Sequence, residues 1–237
     1  MKLLNVNKIR DVPNNFLKKV GLFVLLMLIQ QVIAIIGSSS AYTPFLGIFL
    51  IILAFYIGKK TIEFCLSYQP NNEPIPTDWK KSVLKHYVLL FVTMFGYNIL
   101  YKTFIYNPTS ESTNQSTITS MLSTPLSSIF VIGFTLLIAP FIEEFCFRYL
   151  LLNKYLNDDK KSKQMIMIIL SSLCFGLLHM INQPLSTPFL AWVQYLGQYM
   201  ILGLFFANNY VKSKNYKQSV ALHITWNTSA FLFTLLI

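Results

Sequence analysis

Seven apolar runs of near-bilayer length constrain this chain more than any other feature of its sequence. They lie at residues 20–37, 42–58, 86–106, 126–153, 164–181, 189–210 and 218–237. A helix needs roughly 20 apolar residues to cross the hydrocarbon core of a bilayer. Because backbone groups in lipid must pair within their own segment, such runs predict helices. The sequence therefore predicts an all-α, polytopic transmembrane helix bundle of about seven spans.

The distribution of basic residues predicts how this bundle is oriented. The segments before the first run and after the second, fourth and sixth runs are basic, whereas the segments between the other runs contain neither Lys nor Arg. The basic residues are Lys2, Lys8, Arg10, Lys18, Lys19, Lys59, Lys60, Lys80, Lys81, Lys85, Lys154, Lys160, Lys161, Lys163, Lys212, Lys214 and Lys217. Cytoplasmic loops carry an excess of Lys and Arg, so we expect the N-terminus inside and the C-terminus outside.

The formal net charge of +10 follows from these loops, which also contact anionic lipid headgroups. The basic residues are not interleaved with a compact folded module, so nucleic acid is not an expected partner. No internal repeat divides the chain, and we expect one integral membrane domain over residues 1–237. The lipid bilayer is the expected partner, and the expected location is a cell membrane crossed several times.

Ionisable side chains are rare inside the predicted spans. Glu143 and Glu144 are the acidic residues that fall within a run, and Arg148 follows them in the same run. His179 and His223 are the histidines predicted to lie at membrane depth. A charge at that depth is costly and usually faces a bundle interior or a wet cavity, so each of these residues is a candidate functional residue.

Helical spacing pairs these residues, because side chains four positions apart share one face of a helix. Glu144 and Arg148 have this spacing, as do His223 and Asn227. The first pair predicts an ion pair that neutralises its own charge within the membrane. Glu143 lies about 100° around the helix from Glu144, so it needs a different partner.

Pro140 lies inside the fourth run, a few residues before the two glutamates. A proline within a helix removes a hydrogen bond and kinks the chain. Two separate crossings here would place residues 160–163 outside and break the alternation of basic loops. We therefore expect one long, kinked span over residues 126–153.

Two carboxyl groups, two imidazoles and an amide suit the activation of water by a general base and the stabilisation of an oxyanion. They predict a hydrolase that acts on an amide bond at membrane depth. The sequence has no HExxH helix, no GxSxG elbow and no aspartate pair within a span, which excludes three other protease chemistries. Zinc bound by Glu143, His179 and His223 remains an alternative, although Arg148 and Asn227 favour a site without cofactor or metal.

Three short motifs occur in order on three predicted spans: EEFCFR at 143–148, FGLLH at 175–179 and HITWN at 223–227. They match the patterns EExxxR, FxxxH and HxxxN. In these motifs the chain resembles the CAAX protease and bacteriocin-processing (CPBP, or Abi) family of intramembrane proteases. The resemblance covers about residues 126–237 and implies that this part is the protease core.

The resemblance implies catalytic roles for four of the motif residues. Glu143 is similar to the general base that activates a water molecule together with His179. His223 and Asn227 are similar to the pair that stabilises the oxyanion. Family members have been described both as metalloproteases and as metal-free glutamate enzymes, which is the same alternative that the residues alone leave open.

Glu144 and Arg148 resemble the family's supporting ion pair. The chain departs from the family at Tyr149, where many members have glycine. This departure affects helix packing but none of the catalytic candidates.

The resemblance implies an intramembrane endopeptidase that hydrolyses a peptide bond in a small hydrophobic peptide or a membrane-associated precursor. A composition rich in Asn, Lys and Ile, with short loops, favours a bacterial cytoplasmic membrane and an unprenylated substrate. The alternative is a non-proteolytic protein of the same fold that acts as a bacteriocin immunity protein or a regulatory scaffold. A transporter that uses Glu143 as a proton relay is a third interpretation, but the chain shows no repeats in its two halves.

Overall fold

The structure, a computed structural model, describes residue 13 and residues 15–38, 44–68, 77–156 and 160–236. Regular structure in this part of the chain is helical, as predicted. The α-helices are α1 (Phe16–Ser38), α2 (Pro44–Leu66), α3 (Trp79–Phe104), α4 (Thr113–Met121), α5 (Pro125–Gly133), α6 (Ala139–Glu144), α7 (Lys161–His179), α8 (Phe189–Ser213) and α9 (Tyr216–Leu236). Among the residues of the predicted basic loops, Lys2, Lys8 and Arg10 lie outside the described residues.

Six helical segments of the described chain are long and apolar enough to cross a membrane. They are Phe16–Ser38, Phe45–Leu66, Trp79–Phe104, Pro125–Leu150, Lys161–His179 and Phe189–Ser213. The seventh predicted run forms α9, a helix of 21 residues that is more polar because it contains the HITWN motif. These helices agree with the expected count of about seven spans. Large apolar side chains such as Phe45 and Leu28 are exposed, and this surface contacts the lipid bilayer.

The fourth span runs from Pro125 to Leu150 as one helical segment, close to the predicted span over 126–153. It begins at a well-formed cap, because the Thr124 side chain accepts a hydrogen bond from the Ser127 backbone N–H and Pro125 is favourable in a first helical turn.

Two parts of this fourth span are π-helical: Phe134–Ile138 and Phe145–Leu150. The first directly precedes α6, in which Pro140 is the second residue. Proline has no N–H to donate and its ring displaces the carbonyl four residues earlier. A wider π-helical turn accommodates that missing bond, so the helix continues through Pro140.

The helices group in two compact units. The first unit contains α1, α2 and the segment from Met121 to Cys146, which includes α5 and α6. Glycines let these helices pack closely, because a Cβ built on Gly37 would lie 2.1 Å from the Phe130 ring and one built on Gly133 would lie 2.4 Å from the Phe55 ring. Small residues at helix contacts are typical of membrane bundles.

The second unit contains α3, α4 as far as Ser120, and the chain from Phe147 onward, which includes α7, α8 and α9. Helices α7 and α8 pack against each other, and α8 also packs against α3 and α9. A Cβ on Gly203 would lie 2.8 Å from the Ser172 Cα, so the backbones of α7 and α8 approach closely at this position. The expected single domain, with a protease core over about 126–237, stays a prediction.

Candidate functional site

Glu143 and Glu144 are the last two residues of α6 in the first unit. Glu143 is 6% exposed and Glu144 is fully buried. Both lie within the membrane-spanning segment Pro125–Leu150, between its two π-helical parts. Single π-helical turns inside α-helices are frequent at functional sites. Carboxyl groups buried at membrane depth cost free energy and usually have a functional role.

Glu143 has a hydrogen-bond partner that was not predicted from the sequence. Gln30 on α1 donates from Nε2 to Oε1 of Glu143 over 2.6 Å, and Gln30 is itself buried. A hydrogen bond to a carboxyl group in a site of low dielectric constant holds that group in one orientation. The signal in the sequence was a pair of glutamines in an apolar run, but the sequence does not show which of the two faces inward.

We expect Gln30→Leu to destabilise the protein by about 1–3 kcal/mol, because it removes the donor to a buried carboxyl group. Gln31 is exposed on the same helix, so Gln31→Leu is the matched control and should change stability by less than about 0.5 kcal/mol. Thermal unfolding of both variants in detergent measures the difference. Equal stability of the two variants would show that the hydrogen bond to Glu143 contributes nothing.

Arg148 is fully buried in the second unit. Its Nη1 donates to Ser171 Oγ over 3.0 Å, and Ser171 Oγ donates to the Phe147 carbonyl over 2.7 Å. The guanidinium carbon lies 5.1 Å from the ring centroid of Phe175, 5.8 Å from that of Phe147 and 5.9 Å from that of Phe206. We call these three rings the aromatic cage; their faces attract a buried cation.

His179 lies at the C-terminal end of α7. Its Nδ1 is 2.9 Å from the Phe175 carbonyl oxygen, and a carbonyl only accepts, so Nδ1 carries the hydrogen. In the neutral ring this leaves the lone pair on Nε2. The ring also contacts two aromatic rings, with its centroid 4.3 Å from that of Phe175 and 4.7 Å from that of Tyr199.

His223 and Asn227 lie one turn apart on α9. The His223 ring is 4% exposed and stacks on Phe206, with centroids 4.4 Å apart and an interplanar angle of 23°. It meets Phe175 edge to face, with centroids 5.9 Å apart. Asn227 is half-buried, and its spacing places it on the same helix face as His223.

Phe175 brings three of the candidates together, because its ring contacts the Arg148 guanidinium and the rings of both His179 and His223. It is 1% exposed. Phe175 is part of the FGLLH motif but was not among the predicted site residues. An apolar ring in an apolar helix has no chemical signal in the sequence that would distinguish it from an ordinary packing residue.

Two predicted pairings each join residues of different units. Glu143 and Glu144 belong to the first unit, whereas Arg148 and His179 belong to the second. The Glu144–Arg148 ion pair and the joint action of Glu143 with His179 therefore stay predictions that rest on spacing and on the family resemblance.

In the described ranges of the chain, no three His, Cys, Asp or Glu side chains form a group that could hold a metal ion. The zinc alternative, with Glu143, His179 and His223 as ligands, joins residues of the two units and stays a prediction.

Residues 125–229 match the family model described as type II CAAX prenyl endopeptidase Rce1-like. The matched segment begins at the first residue of α5 and includes all three motifs. The match confirms, over this part of the chain, the resemblance that these motifs indicated. Comparison with curated proteins and with solved structures gave no match.

Proposed function

We propose that this chain, whose residues 125–229 match a family of CAAX endopeptidases, is an intramembrane endopeptidase. Its substrate is a small hydrophobic peptide or a membrane-associated precursor, and its location is a bacterial cytoplasmic membrane. The observation that supports this proposal best is that the family match contains the three polar motifs, with buried Glu143, Arg148 and His223 on apolar helices. Such groups are expensive in a membrane and are usually functional.

In the proposed reaction Glu143 is the general base and acts with His179. The Glu143 carboxylate takes a proton from a water molecule, and the resulting hydroxide attacks the carbonyl carbon of the peptide bond. The same proton then passes to the leaving nitrogen as the carbon–nitrogen bond breaks. The hydrogen bond from Gln30 supports this role because it orients the carboxyl group. The hydrogen on Nδ1 of His179 supports it too, because Nε2 is then the atom that accepts a proton.

His223 and Asn227 are the proposed donors to the oxyanion that forms during the attack. Their spacing of one helical turn directs both side chains from one face of α9. The stack on Phe206 holds the plane of the His223 ring, which a donor aimed at a developing charge requires. A single preorganised donor of this kind contributes about 10²- to 10³-fold to kcat.

Arg148 is proposed to support the site rather than to take part in proton transfer. Its contacts with Ser171 and the aromatic cage hold it within the second unit. Since Phe175 contacts Arg148, His179 and His223, a fixed guanidinium also keeps this ring in contact with both histidines.

The peptidase proposal is tested with protein reconstituted in lipid vesicles and a library of hydrophobic peptides analysed by mass spectrometry. We expect the wild-type protein to cut peptides internally. His179→Ala should reduce the rate by about 10²- to 10⁴-fold, and His223→Ala by about 10²- to 10³-fold.

His86→Ala is the matched control for both variants. His86 is also a buried histidine on a membrane helix, with Nδ1 bonded to the Ser82 carbonyl over 2.8 Å, but it belongs to none of the motifs. It should leave the cleavage rate unchanged. If the folded, reconstituted wild-type protein cuts no peptide, the protease proposal fails and the immunity or scaffold interpretation replaces it. Wild-type cleavage rates in both folded motif variants would contradict the catalytic roles of His179 and His223.

A further inference from the structure

Tyr199 on α8 contacts His179 although it lies in none of the three motifs. The two rings are stacked, with centroids 4.7 Å apart and an interplanar angle of 27°. Phe175, on the same helix as His179, contacts the imidazole from a centroid distance of 4.3 Å. His179 is therefore in contact with one aromatic ring from α7 and one from α8.

The hydroxyl group of Tyr199 is held at the start of α4. Ser112 Oγ lies 2.9 Å from the hydroxyl oxygen, and Asn114 Nδ2 donates to the same oxygen over 3.2 Å. Ser112 is buried, so this is not a contact of mobile surface side chains. The Tyr199 side chain thus contacts His179 through its ring and Ser112 and Asn114 through its hydroxyl group.

Residues 110–114, which we call the anchoring segment, are themselves fastened to the second unit. The Tyr195 hydroxyl donates to the Ser110 carbonyl. The Thr113 backbone N–H donates to Oε1 of Gln183 over 2.9 Å. These bonds fix the anchoring segment to α8 and to the turn after α7, which are the elements that flank His179 and Tyr199.

The hydrogen bond and the stack restrict different motions of His179. The bond from Nδ1 to the Phe175 carbonyl selects one tautomer of the ring. The parallel stack on Tyr199 limits rotation of the ring plane, because a rotated imidazole would lose contact with the aromatic face. With both restrictions in place, Nε2 points in one direction.

We propose that Tyr199 is a positioning residue for His179, and that the anchoring segment holds Tyr199 in the orientation that this requires. The inference rests on the proposed function, since it takes His179 to act in peptide hydrolysis. It assigns a role in the reaction to a residue of α8 and to the polar anchoring segment at the start of α4, neither of which contains a motif.

The kinetic test compares Tyr199→Leu, which removes the stack, with Tyr199→Phe, which keeps the ring and removes the hydroxyl group. Misplacement of a reacting group by about 1 Å can cost about 10²-fold in rate, so we expect Tyr199→Leu to lower kcat by about 10- to 10²-fold with little change in KM. Tyr199→Phe should give an intermediate kcat, because the ring still stacks on His179 but its hydrogen bonds to Ser112 and Asn114 are lost. Equal kcat values for Tyr199→Leu and the wild type would overturn the inference.

Tyr101 offers the matched control. It is buried, and its hydroxyl group donates to the Leu190 carbonyl on the same helix α8 over 2.8 Å. Tyr101→Leu and Tyr101→Phe therefore remove comparable packing and a comparable hydrogen bond. We expect them to lower stability and to keep kcat per folded molecule. A loss of kcat as large as that of Tyr199→Leu would show a general packing effect and overturn the positioning role.

A spectroscopic measurement tests the positioning role without a cleavage assay. The chain has 3 histidines, so nitrogen NMR of histidine-labelled protein gives few signals, and His179→Ala assigns those of His179. We expect the wild type and Tyr199→Phe to show the Nδ1–H tautomer, and Tyr199→Leu to show mixed or broadened signals. Unchanged His179 signals in Tyr199→Leu would overturn the inference. If neither the wild type nor any variant cleaves a peptide, the proposed function fails. The His179 signals still decide whether Tyr199 positions the ring.

Discussion

Glu143→Gln is expected to reduce peptide hydrolysis by about 10²- to 10⁴-fold, the usual contribution of a general base. The replacement has nearly the same shape, and its amide oxygen can accept the same hydrogen bond from Gln30. A neutral amide cannot take a proton from water, so activity should fall while thermal stability stays close to the wild-type value. Cleavage rates in vesicles and unfolding temperatures in detergent, measured on the same preparations, test both parts of the prediction.

Glu63→Gln is the matched control for this change. Glu63 is a partly exposed glutamate on α2 whose Oε2 lies 3.0 Å from Lys60 Nζ. Such pairs near a surface contribute about 0–1 kcal/mol, and we expect this variant to keep full activity. Full activity in a folded Glu143→Gln protein would contradict the assignment of Glu143 as the base, whatever the result for Glu63.

Arg148→Ala, in contrast to Glu143→Gln, is expected to lower the stability of the protein. The loss should be about 3–5 kcal/mol, as for truncation of a large buried side chain. Arg148 is fully buried, donates to Ser171 and contacts the aromatic cage. Truncation leaves a cavity among these three rings and removes their cation–π contacts, each worth about 0.5–2 kcal/mol. Thermal unfolding and the yield of monodisperse protein from membranes measure the loss.

Arg148→Lys separates charge from shape at position 148, and Lys154→Ala is the matched control. Arg148→Lys keeps the positive charge but not the planar guanidinium that faces the rings, so we expect intermediate stability. Lys154→Ala removes an exposed cation a few residues later and should change stability by less than about 0.5 kcal/mol. Wild-type stability of Arg148→Ala would contradict a structural role for the aromatic cage.

The spans were predictable because a bilayer imposes one length and one polarity on every helix that crosses it. The run at 126–153 was expected to be one kinked helix, and Pro125–Leu150 is one helical segment. The π-helical character of Phe134–Ile138 and Phe145–Leu150 was not predictable. It depends on how the backbone near Pro140 redistributes its hydrogen bonds after packing, and no residue type marks that outcome.

Some residues of the candidate site were likewise predictable from the sequence, and others were not. Residues such as Glu143 and His223 are recognisable from the sequence because an ionisable group in an apolar run is conspicuous. Gln30 was not recognised, since its bond to Glu143 joins positions 113 residues apart. Phe175 and Tyr199 are aromatic residues within predominantly apolar spans, and only the fold shows that their rings contact His179.

The most direct test of the proposed peptidase activity is mass spectrometry of peptides incubated with the reconstituted protein in water enriched with heavy oxygen. We predict that the wild-type protein produces paired fragments from internal cleavage, with heavy oxygen in the new carboxyl group of the N-terminal fragment. Folded Glu143→Gln protein should leave the same peptides intact. Equal amounts of labelled fragments from both proteins, or intact peptides with a folded and reconstituted wild-type protein, would contradict hydrolysis by a Glu143-activated water.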